Sequence, residues 1–112
     1  MEVNGRVEGP EVMVISLGED NLDASNVREF KAAVQSLIVD HRRVVLDMTG
    51  VRFVDSSGLG ALISCLRLVN GQQGDFRLCA LSSVVTSLFE MMRMNRVFKI
   101  HETRSDAVHS FA

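Results

Sequence analysis

Apolar residues in this chain come in short dense runs alternating with stretches where they recur at every third or fourth position, a pattern that predicts strands and helices in turn. The run Val12–Leu17 is rich in β-branched residues and stops at Gly18, which reads as a mostly buried strand. Ahead of it, Glu8-Gly9-Pro10-Glu11 separates two short β-like runs and predicts the turn of an opening hairpin. A polar stretch, Glu19–Asn26, then offers several capping side chains before Val27, Phe30, Val34, Leu37 and Ile38 recur at helical spacing, predicting a first helix from about Ser25 to Asp40. Val44–Met48 is a compact apolar run of the kind found in a central strand covered by helices, and it ends at Thr49-Gly50.

After Val51–Val54 the chain reads Asp55-Ser56-Ser57-Gly58-Leu59-Gly60, followed by Leu62, Ile63, Leu66 and Val69 on one face of a second helix that ends near Gly71. Asp75–Leu81 predicts another strand, and Ser82 or Ser83 can cap a third helix carrying Val85, Leu88, Phe89 and Met92. A short strand at Val97–His101 and a helix from about Ser105 complete the pattern. Strands alternating with helices argue for an α/β domain in which at least part of the sheet is parallel.

Composition narrows the function more than the fold. With 112 residues there is room for one domain around one core, and 46% hydrophobic with 23% charged residues is ordinary for a globular protein. A formal charge of −2 and scattered basic residues leave no stripe to track a phosphate backbone, which disfavours direct nucleic-acid binding. No run approaches the roughly 20 apolar residues that span a bilayer, so the expected setting is cytoplasmic, with no membrane partner.

Cys65 and Cys79 lack the short paired spacing of zinc or redox sites and read as small core residues. His41, His101 and His109 form no metal-ligand spacing and are expected in solvated positions, so no cofactor is expected. Met91, Met92 and Met94 gather at the end of the third helix, either as core filler or as an adaptable partner surface.

The chemistry concentrates at Asp55–Gly60. Asp55 and Ser56 are both good N-cap types, so Ser57 falls in the first helical turn, where backbone N–H groups lack partners within the helix. Gly58 and Gly60 each cost a helix about 1 kcal/mol relative to Ala, so something must require them. One reading is a plain cap with tight packing beneath it, and another is close approach by a second chain around a phosphorylated serine. A phosphate there would gain from the helix dipole while adding nearly two negative charges to the surface. Asp23, before the first helix, and Asp47, at a strand end, can both approach this turn if the strands run parallel, although Asp23 also suits a capping role.

Enzyme motifs fail at the same place. A dinucleotide fingerprint starting at Gly58 would need glycine at Ile63; a phosphate-binding loop starting at Gly50 would need glycine at Asp55 and lysine at Ser56. A nucleophile elbow on Ser56 would need glycine at Val54, and one on Ser57 would need glycines at Asp55 and Leu59. A small enzyme with Ser57 as nucleophile would need a nearby base that the sequence does not reveal.

Val44-Val45-Leu46-Asp47 through Val54-Asp55-Ser56-Ser57-Gly58-Leu59-Gly60 resembles the signature of STAS domains, in particular the anti-sigma-factor antagonists of bacterial partner-switching systems. Leu22-Asp23-Ala24, Leu88-Phe89-Glu90-Met91 and Val97-Phe98 extend the resemblance over nearly the whole chain, while the loop Leu17–Leu22 is longer than in many relatives. The resemblance implies a single domain over residues 1–112, with a mixed central sheet of four to five strands and about four helices. It further implies a non-enzymatic protein, monomeric or weakly dimeric, whose unphosphorylated form binds a serine-kinase anti-sigma factor and releases that kinase's target. Phosphorylation falls on Ser57, with Ser56 as the lesser choice, and a PP2C-like phosphatase reverses it. The implied partner-binding set is Asp23, Asp55, Ser56, Ser57, Gly58, Leu59 and Gly60. An alternative within the same fold is a module that works by fixed interaction or ligand sensing, without phosphate exchange.

Overall fold

A computed structural model describes all residues, Met1–Ala112. The hairpin forms as expected: β1 (Val3–Glu8) pairs antiparallel with β2 (Val12–Leu17), and the turn between them places Gly9 and Glu11 at positive φ. β4 (Arg43–Asp47) then lies parallel to β2, β6 (Asp75–Cys79) parallel to β4, and β7 (Ile100–His101) parallel to β6. The result is one mixed five-stranded sheet in the order β1-β2-β4-β6-β7. Two further strands, β3 (Asn21–Leu22) and β5 (Phe53–Val54), form a small parallel pair of their own beyond the ends of β2 and β4.

Helices α1 (Val27–Ile38), α2 (Ser56–Gly71) and α3 (Ser83–Met91) bury their apolar faces against one side of the sheet. Phe30 and Val34 of α1, Leu62 and Leu66 of α2, and Phe89 of α3 meet Ile15, Leu46 and Leu78 there. At about 25 cal/mol per Å² of apolar surface removed from water, this layer supplies most of the driving force for folding. A short helix α4 (Arg104–His109) covers the opposite face, where Ala107 and Val108 pack on Val12, Val14, Val45 and Cys79. The Arg77 guanidinium, 4.0 Å from the centre of the Phe111 ring, holds the chain end against that face.

Boundaries depart from the sequence reading for local reasons. The first helix spans Val27–Ile38 rather than Ser25–Asp40, since Asp23–Asn26 form a turn before it and Asp40 adopts φ 65° after it. β6 stops at Cys79 because Ala80 sits at φ 60°, which no strand tolerates. The expected strand Val97–His101 shortens to Ile100–His101, preceded by a 3-10 turn at Met94–Arg96, although Phe98 remains buried against Phe76 and Phe89. No helix is long and apolar enough to cross a membrane.

Candidate functional site around the start of helix α2

Parallel strands deliver the starts of α1 and α2 to the same end of the sheet, and the β3–β5 pair ties those starts together. Asn21 and Leu22 pair with Phe53 and Val54, and the amide of Asp55 donates to the carbonyl of Leu22 at 3.2 Å. Asp55 is the N-cap of α2. Its Oδ1 accepts from the Gly58 amide at 2.8 Å, while its Oδ2 accepts from the Ala24 amide at 3.2 Å. One carboxylate therefore caps the second helix and anchors the loop leading into the first.

With Asp55 as cap, Ser56 and Ser57 occupy the first two helical positions, and both side chains are exposed. Their amides find no acceptor within the chain, leaving donors aimed outward at the positive end of the helix. The two positions differ in their neighbours along the helix. At helical spacing Ser57 neighbours exposed Gly60 and buried Ala61, and Ser56 neighbours buried Leu59 and the same exposed Gly60.

The two glycines have different reasons. A Cβ at Gly58 would stand 2.2 Å from the Leu22 carbonyl oxygen, so the close approach there is made by this chain's own β3. A Cβ at Gly60 would meet nothing within 4 Å, so the fold itself does not require that glycine. Gly58 and Leu59 are buried and shape the site from beneath, while Asp55, Ser56, Ser57 and Gly60 reach its surface.

Asp23 also comes to this end, half-buried beside the Asp55 anchor. Its Oδ1 accepts from the Ser25 amide and hydroxyl at 2.9 and 2.5 Å, and its Oδ2 accepts from Asn21 Nδ2 at 2.6 Å. The Ser25 hydroxyl and amide bonds hold its carboxyl below the usual carboxylate range. Asp23 does not cap α1: its carboxylate closes a turn ahead of the helix, whose N-cap is Asn26, itself without a side-chain cap bond.

Asp47 does not join the site. Strand alternation turns it to the α4 face with Val45, where its Oδ2 meets Arg104 Nη2 at 2.8 Å and its Oδ1 accepts from the Thr49 amide at 2.9 Å and hydroxyl at 2.6 Å. Burial pushes the Asp47 carboxyl up, but the Thr49 bonds and then Arg104 outweigh it, leaving the pKa lowered. Arg104 also reaches Glu8 at 3.1 Å, so this cluster fastens α4 to the sheet.

Both cysteines are buried free thiols, pushed by burial up to about 11 at Cys65 and, with help from Asp47, about 12 at Cys79. His101 departs from its expected solvated position, its Nε2 enclosed and without a partner in the chain. The methionines divide: Met94 packs against the core, whereas Met91 and Met92 are 81% and 43% exposed. Sequence reasoning missed Phe53, which is 51% exposed in β5, since nothing in its neighbourhood distinguished an outward aromatic from a core one.

Known proteins resemble this chain both in sequence and in fold. The chain is 28% identical over 100 residues to an anti-sigma F factor antagonist of Paenibacillus polymyxa, a match covering 87% of this chain and 84% of that one. It superposes with a TM-score of 0.88 on an anti-sigma-factor antagonist (STAS) domain protein of Planctomyces limnophilus, at 23% identity and 96% coverage of both chains. The Bacillus cell fate determinant SpoIIAA superposes in its phosphorylated form with a TM-score of 0.71, at 19% identity, over 99% of this chain and all, 100%, of that one. In its unphosphorylated form, where SpoIIAA is described as an anti-sigma factor antagonist, the TM-score is 0.70 at the same 19% identity, over 98% of this chain and 97% of that one. These structural likenesses carry the fold, and with the STAS domain model matching residues 4–107, the chain belongs to the STAS domain family.

Proposed function

We propose that this chain is an anti-sigma-factor antagonist whose unphosphorylated form binds a serine-kinase anti-sigma factor and releases that kinase's target, and whose phosphorylation on Ser57 abolishes the binding. The observation that carries this reading is the exposed Ser57 side chain in the first turn of α2, beside amides without acceptors and on a turn held by the Asp55 carboxylate. The general role is supported by the relatives described as anti-sigma factor antagonists.

Charge makes the switch. A phosphate on Ser57 gains from the outward amides, so the fold tolerates it. The same dianion, pressed into a partner surface shaped around a neutral hydroxyl, meets desolvation and like-charge costs, and Asp55 already supplies negative charge beside it. A hundredfold loss of affinity takes only about 2.8 kcal/mol, within reach of one new charge at an interface. The kinase transfers the γ-phosphoryl group of ATP to the Ser57 hydroxyl, and a PP2C-like phosphatase hydrolyses the phosphoserine to restore it. The chain itself acts as substrate and ligand in this cycle, working without a cofactor.

Binding of the two charge states tests the reading. Ser57→Ala folds and binds the kinase constitutively, and Ser57→Asp folds and binds poorly. Equal affinity of the two variants removes the switch.

A further inference from the structure

One edge of the five-stranded sheet is left open. The edge strand β7 has only two residues, whereas β1, at the other edge, has six in unbroken register against β2, free of proline and of any bulge. Natural sheets blunt such an edge with a short strand, proline, a bulge or a covering element. The Gly18 amide donates to the Glu2 carbonyl at 2.9 Å, which makes Glu2 and Gly18 a hydrogen-bonded pair of the ladder. Antiparallel alternation then gives Asn4, Arg6 and Glu8 their bonds to β2. Val3, Gly5 and Val7 therefore aim their amides and carbonyls away from the sheet, and none of these groups is taken up by a turn or loop of the chain.

The edge is complementary to itself. Laid antiparallel against a second β1 with Gly5 opposite Gly5, its outward groups meet in hydrogen-bonded pairs: Val3 with Val7 of the copy, Gly5 with Gly5, and Val7 with Val3. Between these pairs Arg6 stands opposite Asn4 of the copy. Arg6 is exposed and has no ion pair in its own chain, while Asn4 Nδ2 donates to Glu2 Oε1 at 3.2 Å and so leaves Asn4 Oδ1 free to accept a guanidinium. Glu2 of the copy lies one diagonal further, within reach of the same side chain. Glu8, which would face Glu2 of the copy, is already paired with Arg104 at 3.1 Å. On the other face Val7 is 54% exposed, and half-buried Leu37 of α1 covers Gly5, where a Cβ would stand 2.7 Å from Leu37 Cδ2. Because α1 packs on both β1 and β2, the two copies of α1 would lie two strand spacings apart, about 10 Å, the separation of packed helices.

We infer that β1 of this chain pairs antiparallel with β1 of a second copy, centred on Gly5, and joins the two sheets into one. The contact uses the same edge on both copies, so it closes as a two-fold dimer. α2 packs on α1, β5 and β6, away from β1, so the dimer leaves both Ser57 turns uncovered and the inference stands apart from the reading of Ser57.

Sedimentation equilibrium of the full chain from micromolar to near-millimolar concentration tests the pairing, alongside Val7→Pro, which removes an amide that the ladder to β2 does not use. The parent is expected to dimerise, and Val7→Pro to raise the dimer dissociation constant about tenfold or more through loss of two symmetry-related bonds, with a thermal melt close to the parent's. A parent that stays monomeric throughout overturns the inference and leaves the edge to a strand of another protein. A Val7→Pro chain that dimerises as tightly as the parent overturns it by placing the contact elsewhere. The register has its own readout, independent of how well Val7→Pro folds. In a chain carrying both Asn4→Cys and Arg6→Cys the two exposed positions face each other across the axis at a Cα separation of about 4.5 Å, which a disulfide can span. Mild oxidation is expected to link that variant into dimers while the parent, whose Cys65 and Cys79 are buried, stays unlinked. Absence of linked dimer contradicts the pairing.

Discussion

The carbonyl oxygen of Leu22 occupies the space that a side chain at position 58 would need, 2.2 Å from where its Cβ would stand. That oxygen also accepts the Asp55 amide, so it cannot retreat without loosening the cap of α2.

Gly58→Ala is therefore expected to destabilise the protein by about 1–3 kcal/mol, as overpacking against backbone does. Gly60→Ala, with open space around it, should stabilise the free protein by about 0.5–1 kcal/mol through helix propensity. Denaturant melts of the two variants read the contrast directly, and a Gly58→Ala chain as stable as the parent would show that β3 is not held against α2.

Removing the Asp55 carboxylate strips the cap from Gly58 and the anchor from Ala24 together. Asp55→Ala should cost about 1–2 kcal/mol and raise amide exchange in both the β3–α1 loop and the first turn of α2. Faster exchange confined to α2 would mean that the bond to Ala24 contributes nothing.

How far these relationships are legible in the sequence depends on element length. β2, β4 and α2 announce themselves because long apolar runs or faces must be buried. β3 and β5 have two residues each, too short to show any period, so the pairing that joins Leu22 to Val54 is not readable. Parallel strands alone would allow Asp47 to reach the Ser57 turn, yet its alternation with Leu46 places it on the α4 face, a signal present in the strand pattern itself. The Ser57 segment is legible through its capping chemistry, whereas the outward turn of Phe53 is settled only by tertiary packing.

Acid stability should report on Asp47. Its folded pKa lies below the ordinary 3.8, so its contribution is present above that value and is lost as pH falls through it toward the folded pKa. Asp23, its carboxyl lowered by the Ser25 bonds, adds to the same limb. Asp47→Asn is expected to lower stability by about 1–2 kcal/mol at neutral pH and to flatten the decline below pH 3.8 measured by urea melts. An unchanged acid limb would detach the Asp47–Arg104 cluster from the account of how α4 is held.

With their thiols raised to about 11 and 12, Cys65 and Cys79 should resist alkylation by iodoacetamide at pH 8 in the folded protein and react promptly after unfolding. Rapid labelling of the native chain would show that one of the two apolar layers opens.

Intact mass measurement, followed by localisation of any phosphate, tests the central claim most directly. The chain is incubated with ATP and the serine kinase of the same cell, alongside Ser56→Ala and Ser57→Ala variants. One phosphate on the parent and on Ser56→Ala, with none on Ser57→Ala, is the predicted result. Phosphate retained by Ser57→Ala, or located on Ser56 in the parent, contradicts it.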